Sequence, residues 1–111
     1  MQEMTTTGTW VVDEANQAAF VEAWADFAAW ASSHDGAGML RLGRDTGSSN
    51  RFVSFGPWDS AEQVHAWKAQ PAFGERMAKL LQHVDEFHPV ELDVVASADS
   101  GTSLVVQATN H

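Results

Sequence analysis

The chain has 111 residues, no cysteine, and 15 acidic against 6 basic residues for a formal charge of −9, which leaves room for one domain with one core. A disulfide framework, thiolate metal sites and a cysteine nucleophile are excluded, and the acidic balance repels phosphate-rich partners, so nucleic acid is not an expected ligand. No run approaches the ~18 apolar residues of a membrane span. The opening MQEMTTTGTW lacks a basic stretch followed by an apolar one, so a cytoplasmic protein without membrane partners is expected.

Thr5 to Val12 is rich in β-branched residues and ends at Asp13, which reads as a strand feeding a helix N-cap. From Ala15 to Ser33 the residues Phe20, Trp24, Phe27 and Ala31 recur at helical spacing, with Val21 and Ala28 widening the stripe. Ser33-His34-Asp35-Gly36 stops this helix, with Gly36 taking the left-handed position. Gly38 to Arg44 and Arg51 to Gly56 read as two strands of a hairpin across the polar loop of residues 45–50. Phe52 points to one face of that hairpin and Val53 and Phe55 to the other, so both faces of the sheet need cover.

Ser60-Ala61-Glu62-Gln63 fits a capping box, and its helix carries Gln63, Val64 and Trp67 on one side. Pro71 interrupts that helix and suits the first turn of another, with Phe73, Met77, Leu80, Leu81 and Val84 on one stripe. Glu86 to Val95 alternates Val90, Leu92 and Val94 against Glu91 and Asp93, the pattern of a half-buried last strand. Residues 1–96 form the expected domain, and residues 97–111 a polar tail whose Leu104-Val105-Val106 patch either stays loose or adds to a sheet edge.

The order βαββαβ predicts an α+β, ferredoxin-like fold: a four-stranded antiparallel sheet with its helices on one face. An apolar second face would then be bare, and pairing with a second copy is the simplest way to cover it, so a homodimer formed through that face is expected.

The run Arg51-Phe52-Val53-Ser54-Phe55-Gly56-Pro57-Trp58-Asp59-Ser60-Ala61-Glu62, followed by Ala66-Trp67-Lys68 and Pro71-Ala72-Phe73, resembles the actinobacterial branch of the antibiotic biosynthesis monooxygenase family. The likeness runs from about Thr9 to Val95. It implies a dimeric ferredoxin-like fold, a pocket between helices and sheet, and oxygenation of aromatic, polyketide-type compounds without metal or flavin cofactor. Trp67 matches the helix Trp shared by oxygenating and haem-degrading members. Gln63 stands where the quinone-forming type has Asn, and Phe73 where it has Tyr, so the phenol hydroxyl is missing. Haem degradation is disfavoured, because Met77 stands where those members place the axial His and the first strand has Thr5, Thr6, Thr7, Thr9 and Trp10 but no Asn.

Candidate catalytic residues are therefore Trp67, Gln63 and His88, and candidate substrate-binding residues are Trp24, Phe27, Arg41, Phe73 and Met77. Each has a plain alternative. Trp67 and Trp24 sit on core stripes, Gln63 suits a cap, and Arg41 can pair with an acid across the dimer. His88 shares parity with Val90 and Leu92, which places it at the end of a buried face as a general-base candidate or a hydrogen-bonded structural residue. His65 falls opposite Trp67 on its helix and His83 flanks the last helical stripe. No two histidines have metal-ligand spacing, so no metal is expected.

Three roles follow: a cofactor-independent monooxygenase for an apolar aromatic small molecule, a non-catalytic carrier or sensor of such a molecule, or a structural module with a filled interior. Space between Trp24, Trp67, Phe73 and Met77 separates the first two from the third.

Overall fold

In the computed structural model, which describes residues 3–98 and the segment 105–106, the threonine-rich start of the chain becomes the central strand. β1 (Met4–Val11) pairs antiparallel with β3 (Arg51–Trp58) on one side and β4 (Glu86–Asp93) on the other. The short β2 (Arg41–Arg44) pairs with β3, giving the order β2-β3-β1-β4. A 3₁₀ turn (Glu14–Asn16) leads into α1 (Gln17–Ala31), and α2 (Ala61–Lys68) and α3 (Pro71–Leu81) lie between β3 and β4. This is the ferredoxin-like arrangement expected from the element order, with the second helix split at Pro71.

Register decides which residues meet. Trp10 faces Phe52 on one side and Phe87 on the other as Cα partners, so three aromatic side chains form one row across the sheet. Trp10 stacks on Phe87 with centroids 3.9 Å apart. Phe20 of α1 lies on the row, with centroids 5.4 Å from Trp10 and 5.2 Å from Phe52. Val12, Phe20, Phe52, Trp58, Val64 and Leu80 are fully or nearly fully buried; removing such side chains from water contributes about 1.5–3 kcal/mol each.

The caps follow sequence logic. Ser60 Oγ accepts from the Gln63 amide, and the Gln63 carboxamide accepts from the Ser60 hydroxyl at 3.0 Å. Pro71 opens α3, where its missing N–H costs nothing. Gly36 adopts φ of +88°, which L-residues avoid, and any side chain there would also overlap the Gln63 carboxamide. Asp13 precedes the 3₁₀ turn but makes no side-chain cap bond.

Several boundaries differ from expectation. The strand expected from Gly38 starts at Arg41: Gly38 N–H donates to Pro57 O, Asp59 N–H donates to Gly36 O, and Ala37 bridges Trp58. Residues 36–38 thus close over the end of β3, which runs on to Trp58, and the chain leaves the ladder at Met39 and Leu40. β4 ends at Asp93 rather than Val95. Val105–Val106 (β6) pairs with Ala96–Ser97 (β5) in a separate ribbon and does not extend the main sheet; Leu104 and the other residues of 99–104 and 107–111 lie outside the described residues.

The sheet face away from the helices carries Phe55, Val90 and Leu92, each between 42% and 49% exposed.

Candidate functional site

A cavity of about 170 Å³ lies between the helices and the sheet. Its floor is a set of small residues on helix-facing strand positions: Thr6 and Gly8 of β1, and Ser54 and Gly56 of β3. They are Cα partners across the ladder, Thr6 with Gly56 and Gly8 with Ser54. A hollow forms because these positions carry no bulk where their neighbours Trp10, Phe52 and Trp58 fill the space. Gly8 is essential to this shape, since a Cβ there would lie 2.8 Å from the Phe87 ring and 3.0 Å from Ser54 Oγ.

The walls are Trp24 and Phe27 from α1, Trp67 from α2, Phe73 from α3, and Phe87 and Trp10 from the sheet. Phe27, Trp67 and Phe73 form a mutually tilted group with centroids 4.9–5.9 Å apart. Trp67 also stacks on Trp58 at 4.8 Å. Both indole N–H groups of that stacked pair are buried without an acceptor. Leu40, seated on Gly56, lines one end of the cavity.

Polar groups are few. Trp10 Nε1 donates to Ser54 Oγ at 2.9 Å, and no described residue accepts from the Ser54 hydroxyl. Lys68 lines the opposite end from α2, where its ammonium bonds Glu91 at 2.8 Å, tying the helix to β4. His65 Nε2 lies 3.4 Å from the other Glu91 oxygen. The Lys68 hydrogen bond holds the Glu91 carboxyl below the usual carboxylate range against a smaller opposing effect of burial. Glu91 is therefore a fixed anchor and a poor proton acceptor near neutrality.

The eight residues singled out from sequence divide into two groups. Trp24, Phe27, Trp67 and Phe73 all line the cavity, so Trp24, Trp67 and Phe73 have open space between them. Gln63, Met77, Arg41 and His88 do not line it. Gln63 is held at the start of α2 by Ser60 and lies against Gly36. Met77 packs against the core from α3.

Arg41 pairs in register with Phe55 and so belongs to the outer sheet face. The placement of His88 at the end of a buried face is corrected: Trp10 partners Phe87, so Phe87, Pro89 and Glu91 turn toward the helices and His88 turns away, exposed beside Glu86 at 3.3 Å. The alternation read correctly, but the more apolar half, Val90 and Leu92, is the uncovered half.

Thr6, Gly8, Ser54, Gly56, Trp10, Phe87 and Lys68 were not recognised in the sequence as site residues. Their signal was small side chains sharing strand parity with large aromatic ones, which becomes visible once the register is known. No group of three or more His, Asp or Glu able to hold a metal occurs among the described residues. No helix among them is long and apolar enough to cross a membrane.

A ferredoxin-like α+β domain with an aromatic-walled cavity under its helices defines the class. The chain belongs to the antibiotic biosynthesis monooxygenase family, whose signature matches residues 4–79. Among solved structures it is similar to SnoaB, a cofactor-independent oxygenase from Streptomyces nogalater, with 23% identity, a TM-score of 0.72, and coverage of 83% of this chain and 92% of that one. It is also similar to a candidate antibiotic biosynthesis monooxygenase from Deinococcus radiodurans, with 15% identity, a TM-score of 0.77, and coverage of 86% and 96%. A conserved protein from Methanosarcina mazei has the same fold at 11% identity, with a TM-score of 0.75 and coverage of 83% and 92%. No curated protein matches the sequence.

Proposed function

We propose that this protein is a monooxygenase that takes a flat, electron-rich aromatic molecule into the cavity under its helices and oxidises it with molecular oxygen, using neither metal nor flavin. The observation carrying the reading is the cavity itself: aromatic walls, a floor of small residues, and a few polar groups at defined points. Membership of the family and the likeness to a cofactor-independent oxygenase support it.

Triplet oxygen reacts slowly with closed-shell molecules, so the substrate must supply the electrons. An anthrone-type carbanion can do so: it adds oxygen to give a peroxide, then loses its second C–H proton and hydroxide, leaving a quinone carbonyl and, overall, one water. The protein's part is to favour the anion in a dry site. Low polarity alone would disfavour the charge, so donors must be aimed at it. The Ser54 hydroxyl is suited to this, because Trp10 donates to its oxygen and leaves its own hydrogen without a protein acceptor. The Trp67 indole N–H, buried without an acceptor on a ring that lines the cavity, is the second donor. Trp24, Phe27 and Phe73 hold the ring plane and keep water out.

Oxygen consumption and quinone absorbance with a panel of anthrones and hydroquinones test this reading. Acceleration over the spontaneous rate, reduced in Trp67→Phe, is expected; rates equal to the spontaneous ones overturn it.

One observation favours a second reading, reversible binding without turnover: no imidazole or carboxylate lines the cavity. Recovery of every bound ligand unchanged under oxygen would establish it.

We propose also that the working form is a homodimer joined through the outer face of Phe55, Val90 and Leu92. Light scattering should give twice the chain mass, and Val90→Glu should return it to that of one chain.

A further inference from the structure

The cavity is small for the ligands the proposed reaction calls for. At about 170 Å³ it is close to an engineered protein cavity of about 150 Å³ that encloses one benzene. A molecule of two or three fused rings must project beyond it.

One direction is open. A second groove lies between α1 and the edge strand β2, and Trp24, Leu40 and Phe55 line both it and the cavity. Beyond those three, the groove is lined by Val21, Ala25, Leu42, Gly43 and Phe52 and by two arginines, Arg41 and Arg44. No acidic residue lines it, in a chain with 15 of them. Four of the six basic residues make no carboxylate pair among the described ion pairs, and two of those four are in this one groove.

Arg44 is also preorganised. Its guanidinium lies over the Phe52 ring at 5.1 Å, and Nη2 donates to the Gln17 carboxamide at 3.1 Å. That contact uses one edge of the fork and leaves other N–H donors unengaged by any described residue. Arg41, on the opposite face of β2, donates to Met39 Sδ. A guanidinium stacked on an aromatic face with a free edge is built for planar, bidentate recognition of a carboxylate.

We propose that the groove beside β2 is an anion subsite continuous with the cavity, and that the ligand is an aromatic acid whose rings enter past Leu40 while its carboxylate pairs with Arg44. The assignment rests on the cavity being a ligand site. It explains how a chain of charge −9 can take an anion: the long-range field opposes approach, but it is screened beyond about 8–10 Å at ordinary salt, within which Arg44 dominates.

The test is calorimetric titration of the full chain with 2-naphthoate and with 2-naphthamide, which share a ring system and differ in charge. Wild type should bind the acid about tenfold more tightly, and raising salt from low to molar concentration should weaken the acid alone. Arg44→Gln should remove the preference by weakening the acid far more than the amide, whereas Arg76→Gln, which alters an unpaired arginine stacked on Trp30 outside the groove, should retain it. Equal binding of acid and amide by wild type, or an equal loss of both in Arg44→Gln, overturns the anion subsite and leaves the cavity reading standing. Binding of neither overturns both.

Discussion

The aromatic interior has two ends that use the same residue types differently. At one end Trp10, Phe20, Phe52 and Phe87 interlock, and the Trp10 N–H is satisfied by Ser54. At the other, Trp67, Phe27 and Phe73 surround open space, and the Trp67 N–H has no partner. A buried donor without an acceptor costs about 1–3 kcal/mol, and a void forfeits packing. The first end is arranged for stability. The second tolerates two costs that a purely structural core would remove, which is what a ligand site requires.

The largest effect should come from emptying the packed end. Trp10→Ala removes a side chain that is 2% exposed together with its stack and hydrogen bond, and should lower unfolding stability by about 3–5 kcal/mol. Urea denaturation reads this. A loss under about 1 kcal/mol would mean the two ends do not differ as argued.

Gly8→Ala attacks the boundary between the ends. The added methyl would press on the Phe87 ring at 2.8 Å and on Ser54 Oγ at 3.0 Å, so it should cost about 1–3 kcal/mol by overpacking and also weaken ligand binding. A variant of unchanged stability and affinity would show that Phe87 yields freely and does not fix the cavity wall.

Trp67→Phe sharpens the contrast from the other side. It deletes an unpartnered donor along with some ring volume, two terms of opposite sign, so stability should change by no more than about 1 kcal/mol. Binding of an aromatic ketone or phenolate should nevertheless fall about tenfold if the donor meets the ligand. Trp10→Phe should act on both, destabilising the fold by removing a satisfied hydrogen bond and weakening binding by releasing the Ser54 hydroxyl that Trp10 holds.

Much of this architecture was legible in the sequence, because periodicity is a strong signal where the partner element is hydrophobic. The stripe of Phe20, Trp24, Phe27 and Ala31 specified both α1 and its buried face, and the capping serine and Pro71 marked the two later helices. The four aromatic candidates that line the cavity came from the same stripes and from the family resemblance. What escaped was information held by register. The parity of β4 is ambiguous alone, since Val90 and Leu92 are more apolar than Pro89 and Glu91; only the pairing of Phe87 with Trp10 turns His88 away from the helices. The cavity floor escaped for a related reason. Gly8, Ser54 and Gly56 matter through the bulk they lack, and absence of bulk signifies nothing until the neighbours are known.

The smallest effect concerns the tie at the Lys68 end of the cavity. Glu91 has a folded-state pKa below its ordinary value of 4.5, chiefly through the Lys68 hydrogen bond. A carboxyl depressed by folding contributes stability that is fully present above the unfolded value and is lost as pH falls through the lower folded one. The window therefore lies below about pH 4.5, with neutral pH on the stable plateau. The Glu91 side chain is 31% exposed, so screening limits the contribution to a few tenths of a kcal/mol. Glu91→Gln should flatten that acid step in a denaturation series from pH 6 to about pH 3 and leave stability at pH 7 almost unchanged. Because the ligand enters past Leu40 at the opposite end, ligand dissociation should be unchanged in the variant. Faster dissociation would show that the Lys68 end is an exit and would count against the β2 groove as the route.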